Sequence, residues 1–105
     1  MNSSSVSVII PAFQAADTIS RTLKSIVTQT VAPTEVIVVD DGSNDGTAEA
    51  TEAMRDQMGD IDLIFIQQNH EGAGAARNQA LKEASFDYVA FLDADDEWLP
   101  EKLER

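Results

Sequence analysis

Three short apolar runs in this chain each empty into a polar loop, and that alternation restricts the folds open to it more than any other feature. Glu35 to Val39 ends in Asp40-Asp41-Gly42-Ser43, Ile61 to Ile66 leads to Glu71-Gly72-Ala73-Gly74-Ala75-Ala76-Arg77-Asn78, and Asp87 to Leu92 ends in Asp93-Ala94-Asp95-Asp96. A further run, Val6 to Ile10, stands near the start, and Pro11, which cannot donate to a ladder, is expected to end it. Between the runs the apolar period becomes helical. Ile19, Leu23, Ile26 and Val27 share one face, with Asp17 expected as the cap; Ala50, Met54 and Met58 share another, on a helix from about Thr47 to Met58. Ala76, Ala80 and Ala84 form a stripe of small residues, and Leu99 to Arg105 reads as the opening of one more helix near Pro100. Short strands alternating with helical segments imply βαβ units and a three-layer α/β/α, Rossmann-like domain on a mainly parallel four-stranded sheet. Loops that follow parallel strands share one sheet edge. The acidic turns and the glycine loop should therefore converge on one crevice, with the switch point expected after the β-branched run Glu35 to Val39.

A length of 105 residues bounds the chain to one small domain, near the lower end for an open α/β sheet. Residues 1–5, with Asn2-Ser3-Ser4-Ser5, are expected to be a disordered start, and 6–105 the folded part. The formal net charge of -12, from 7 basic and 19 acidic residues, opposes attraction to nucleic acid or an anionic bilayer. A small anionic ligand beside these aspartates would need a bridging cation. Cysteine is absent, which removes disulfides and thiolate metal sites. The run Val8-Ile9-Ile10 is short and lacks a preceding basic region, so no signal peptide is expected, nor a membrane-spanning segment. A cytoplasmic location is the expectation, with membrane association left open for a longer protein.

Asp93-Ala94-Asp95 places two carboxylates one residue apart at a strand end. Mg²⁺ or Mn²⁺ takes one or two protein carboxylates and completes its shell with water and substrate phosphate oxygens, so the pattern suits that ion. Taken alone, an acidic cluster in a loop is a solvated turn; the buried-type strand Tyr88 to Leu92 before it and Trp98 after it favour a site. Asp41 could accept a hydrogen bond from a base imide or a ribose hydroxyl, while turn chemistry and helix capping by Ser43 or Asp45 account for the same residues structurally. Asp41, Ser43, Asp45, Gly46 and Glu52 also fall at positions 1, 3, 5, 6 and 12 of a calcium loop, but a strand precedes them where a helix is required. Gly72-Ala73-Gly74-Ala75-Ala76-Arg77 resembles a dinucleotide fingerprint whose third glycine is Arg77, and it lacks the Lys and Ser/Thr of a P-loop. Arg77 near a helix start could contact an anion or form a structural ion pair. His70, the single histidine, receives no catalytic role.

Taken in order, Val6 to Phe13, Glu35 to Thr47, Gly72 to Asn78 and Phe91 to Asp96 resemble the inverting family 2 glycosyltransferases of GT-A fold, over nearly all of the chain beyond its serine-rich start. The resemblance implies a nucleotide-sugar site in the donor-binding half of a GT-A domain. It places Pro11, Ala12 and Phe13 around the nucleobase, Asp41 on the base, Asp95 on the metal, Asp93 on the ribose or the metal's water shell, and Arg77 on the ligand side. Mn²⁺ or Mg²⁺ is the implied cofactor. A nucleoside-diphosphate sugar, a UDP-sugar first, is the implied donor, with a sugar or lipid-linked glycan as acceptor and no nucleic acid as partner. Phe13 and Gln14 stand where members of that family typically carry tyrosine and asparagine. The family's acceptor half and catalytic base have no match before Arg105, so this chain alone is expected to bind nucleotide without transferring sugar, and to self-associate through apolar surface. The rival expectations are a receiver-type signalling domain, which would carry its acid pair after the first strand, and a nicotinamide-dinucleotide-binding domain.

Overall fold

The computed structural model describes residues 6–29, 33–69, 72, 75, 78, 80–82 and 88–94. β1 spans Val6–Ala12, α1 Ile19–Val27, β2 Glu35–Asp40, α2 Thr47–Ala53 with a 3₁₀ turn at Arg55–Gln57, β3 Asp62–Gln67 and β4 Tyr88–Phe91. Residues 75, 78 and 80–82 are helical. The strands form one parallel sheet in the order β3-β2-β1-β4. Among the described residues no helix is long and apolar enough to cross a membrane.

Alternation along the central strands divides the core into two layers. Val8 and Ile10 of β1 and Val36 and Val38 of β2 face α1 and α2, meeting Ile19, Leu23, Ile26, Met54 and Met58. Ile9, Ile37 and Val39 face the other way and meet Ala80. Ile37 and Leu23 are both at 0% exposure, and each such side chain contributes roughly 1.5–3 kcal/mol through burial. Ala80 is equally buried, as a small residue must be where a helix sits close on a sheet; Ala76 and Ala84 lie outside the described residues, as does the segment from Leu99.

The sheet corrects several expectations. Pro11 does not end β1, which continues to Ala12 with Pro11 opposite Val39. The carbonyls of Val6 and Ala12 accept bonds from the β2 side, whereas that of Ile9 accepts the Leu92 N–H on the β4 side. By this alternation the absent N–H of Pro11 faces β4, beyond the last paired residues Ile9 and Phe91, and no ladder bond is lost. Asp17 does not cap α1. Thr18 is the N-cap residue, and its side chain makes no capping bond. The second helix is shorter than its apolar stripe: after Ala53 the bonds tighten to Met54 N–H on the Thr51 carbonyl and Gln57 N–H on the Met54 carbonyl, which keeps Met54 and Met58 buried through a 3₁₀ turn. The third strand is displaced by one residue, to Asp62–Gln67. The switch point is not after β2, which lies between β1 and β3; the order of connection reverses between β1 and β4.

Candidate functional site

β1 and β2 end side by side, with the Asp41 N–H donating to the Ala12 carbonyl at 2.8 Å. Past this point the two loops are joined by side chains. Gln14, the described non-glycine residue with positive φ (52°), donates its N–H to Ser43 Oγ at 2.7 Å. Its amide pairs reciprocally with Asn44: Nε2 donates to Asn44 Oδ1 at 3.0 Å, and the Asn44 N–H donates to Gln14 Oε1 at 2.9 Å. The Ala15 N–H donates to Thr47 Oγ1 at 2.9 Å and the Ala16 N–H to Asp45 Oδ2 at 3.2 Å. A loop whose N–H groups are satisfied in this way is held in one shape, and it presents Phe13 half exposed at the sheet edge.

The adjacent aspartates where β2 ends have separate tasks. Asp40, fully buried, accepts from the Ser43 N–H at 3.2 Å and from the Ser43 hydroxyl. Asp41, 4% exposed, accepts from Gln68 Nε2 at 2.8 Å and from the Gly72 N–H at 2.9 Å, so it fastens the segment after β3 to the end of β2. Gly72 has φ 99°, a conformation that side chains disfavour, and this turn brings its N–H onto the carboxylate. Asp45 serves the start of α2. It accepts from the Thr47 hydroxyl at 2.6 Å and the Thr47 N–H at 3.2 Å, and these bonds, the hydroxyl first, hold its carboxyl below the ordinary 3.8 despite the opposing effect of desolvation. Glu52 is bound to Arg55 at 2.6 Å, and β2 precedes the turn, so the calcium-loop spacing is filled by other interactions.

On the far side of β1, β4 ends and Leu92 donates its N–H to the Ile9 carbonyl at 3.0 Å. Asp93 follows, exposed, and then Ala94, 7% exposed, whose carbonyl is held by the hydroxyls of Thr18 and Thr22. A cleft of about 480 Å³ opens between these loops, lined by Pro11, Phe13, Gln14, Ala15, Thr18, Asp93 and Ala94. It stands at the switch point, where ligands of open α/β sheets bind.

Of the residues singled out from sequence, Pro11, Phe13 and Asp93 thus share one cleft. Ala12 is buried beneath it, at 3% exposure, and Asp41 lies to the β3 side under its bonds to Gln68 and Gly72. Arg77 and Asp95 lie outside the described residues. Ala15 and Thr18 line the cleft without having been singled out, and Gln14, noted only as standing where the family typically carries asparagine, lines it too. For Thr18 and Thr22 the sequence holds no signal, since a helical threonine ordinarily finds an acceptor within its own helix. Among the described residues no three His, Cys, Asp or Glu cluster to hold a metal. The Asp93 carboxylate at an open, polar rim still suits Mg²⁺ or Mn²⁺, which bind through few carboxylates plus substrate oxygens and water.

The sheet order and the cleft at the switch point, with an acid at its rim, define an open, Rossmann-like α/β domain. Residues 7–105 match the profile of glycosyl transferase family 2, and the chain belongs to that family. It is 41% identical over 99 residues to the UDP-Glc:α-D-GlcNAc-diphosphoundecaprenol β-1,3-glucosyltransferase WfaP of Escherichia coli, a match covering 93% of this chain and 38% of the relative. Among solved structures it is similar to S. aureus TarS 1-349 in complex with UDP, at TM-score 0.85 and 35% identity over 95% of this chain and 30% of that one. It is also similar to the mannosyltransferase PcManGT of Pyrobaculum calidifontis in complex with GDP-Man and Mn²⁺, at TM-score 0.82 and 34% identity over 89% of this chain and 28% of that one. The fold is the Rossmann-like part of a GT-A glycosyltransferase. The chain spans between 31% and 39% of the length of three curated relatives it matches.

Proposed function

We propose that this chain is the donor-binding half of an inverting, metal-dependent glycosyltransferase that passes a sugar from a nucleoside diphosphate, UDP first, to an acceptor hydroxyl on a sugar or lipid-linked glycan. One observation carries the reading: Pro11, Phe13 and Asp93, from strands at opposite ends of the sequence, line one cleft at the switch point. Phe13 offers a face for the base, with Pro11 and Ala12 shaping the floor; Asp41 and Arg77 complete the base and ligand-side contacts; Asp93 and Asp95 hold ribose and metal. A divalent ion there supplies charge against the departing diphosphate. The partners that similar proteins were crystallised with, UDP in one and GDP-Man with Mn²⁺ in another, support a nucleotide-sugar donor and a divalent ion. The β-linkage in the name of the Escherichia coli relative supports inversion.

The rival readings fit less well. A receiver-type sheet follows the order 2-1-3-4-5, unlike the β3-β2-β1-β4 order here. A dinucleotide domain shares that order but carries its glycine turn after β1, where this chain has Pro11-Ala12-Phe13-Gln14; Gly72 follows the edge strand β3. Calorimetric titration of UDP, GDP and NAD with and without Mn²⁺ tests the proposal. Mn²⁺-dependent binding of a nucleoside diphosphate is expected, and its loss in Asp95→Ala. Tight NAD binding without metal overturns the function, and unchanged binding in Asp95→Ala removes that residue from the site.

A further inference from the structure

Two hydroxyls separated from Ala94 by more than seventy residues of chain converge on its carbonyl oxygen. Thr18 Oγ1 and Thr22 Oγ1 each lie 2.9 Å from it, separated in sequence by 76 and 72 residues. A carbonyl oxygen has two lone pairs, so this pair of donors occupies both. Thr18 is the N-cap residue of α1, yet its side chain makes no capping bond; its Oγ1 lies nearer the Ala94 oxygen, at 2.9 Å, than the Ala15 oxygen, at 3.4 Å. Thr22 is wholly buried and directs its hydroxyl to the same point. Ala94 is the middle residue of Asp93-Ala94-Asp95, and the β4 ladder ends before it. Among the described residues, with Leu92 bonded to Ile9, these two hydroxyls tie the Ala94 carbonyl to α1.

We propose that Thr18 and Thr22 are positioning residues that set the orientation of the Asp93-Ala94 backbone, and with it the affinity of the site for a metal-bound nucleoside diphosphate. This rests on the donor-site reading above. The first turn of α1 is itself anchored, since the Ala15 carbonyl accepts the N–H groups of Thr18 and Ile19 while the Ala15 N–H bonds to Thr47. The acidic turn is thereby placed relative to the loops of β1 and β2 through one connected set of bonds.

Valine matches threonine in shape and lacks the donor, so Thr18→Val, Thr22→Val and the double variant remove the bonds, and Thr22→Ser retains one. Two measurements are made on the 105-residue chain. The first is hydrogen exchange of the amides of residues 92–94 without ligand; the second is Mn²⁺ affinity in saturating UDP, read from the free-ion electron paramagnetic resonance signal. Faster exchange confined to this turn is expected in the double variant, with roughly tenfold weaker Mn²⁺ binding, and near wild-type behaviour in Thr22→Ser. A folded variant with unchanged turn exchange, or lower thermal stability with unchanged Mn²⁺ affinity, overturns the proposal. If Thr22→Val fails to fold, the half-buried Thr18→Val gives the same two readouts. Absence of Mn²⁺ binding in the wild type overturns the donor-site reading instead, and the exchange rates alone then decide whether the hydroxyls hold the turn.

Discussion

Asp41→Asn measures how much of the fold the Asp41 carboxylate holds. Asp41 accepts from Gln68 Nε2 at 2.8 Å and from the Gly72 N–H at 2.9 Å, and only 4% of it is exposed. Both are bonds to a charged acceptor, worth about 1.5–3 kcal/mol each against about 0.5–1.5 kcal/mol for neutral pairs. Asparagine keeps one oxygen. Directed at Gly72 it turns its own amide NH₂ toward Gln68, whose side chain can rotate to present oxygen, so both bonds survive in neutral form. The difference is roughly 1–3 kcal/mol of stability lost, which for a domain near 100 residues lowers the thermal midpoint by about 4–8 °C per kcal/mol. Urea and thermal unfolding without nucleotide measure it, and a cycle with Gln68→Ala isolates the pair, where coupling of about 0.5 kcal/mol or more is expected. An unchanged midpoint, or strictly additive variants, would refute the assignment of Asp41 to the segment after β3.

Gln14 has φ 52°, so Gln14→Gly should be more stable than Gln14→Ala, the reverse of the usual order; both lose the amide pair with Asn44, about 1 kcal/mol, and alanine alone keeps the strain. Urea midpoints of the two variants check the order. Asp45 has a folded-state pKa below 3.8, held there first by the Thr47 hydroxyl, so its stabilising contribution is full above 3.8 and is lost as pH falls through the lower folded value. The gap in urea midpoint between wild type and Asp45→Ala should accordingly close below pH 3.8, and a gap that widens on acidification contradicts the assignment.

Several elements were legible in the residues themselves. Alternation of β-branched runs with helical spacing announced four parallel strands, and the periodicity of Ile19, Leu23 and Ile26 marked the buried face of α1. These signals are local, because a strand or helix face must match its own period before anything packs on it. The resemblance to family 2 glycosyltransferases rested on motifs that each strand delivers to its own loop, and the family match over residues 7–105 agrees with it.

What tertiary structure decided depends on neighbours distant along the chain. Whether Pro11 ends a strand turns on how far β4 extends beside it, and the location of the switch point turns on which side of β1 the last strand inserts. Asp40 and Asp41 read alike as two acids at a strand end. Alternation sends one to its own turn and the other to Gln68 and Gly72. Thr18 and Thr22 read as ordinary helix residues until the fold brings the Ala94 carbonyl to them. Residue type sets which bonds a side chain can make, but its partner is whichever group chain topology brings within about 3 Å, and no local period encodes that.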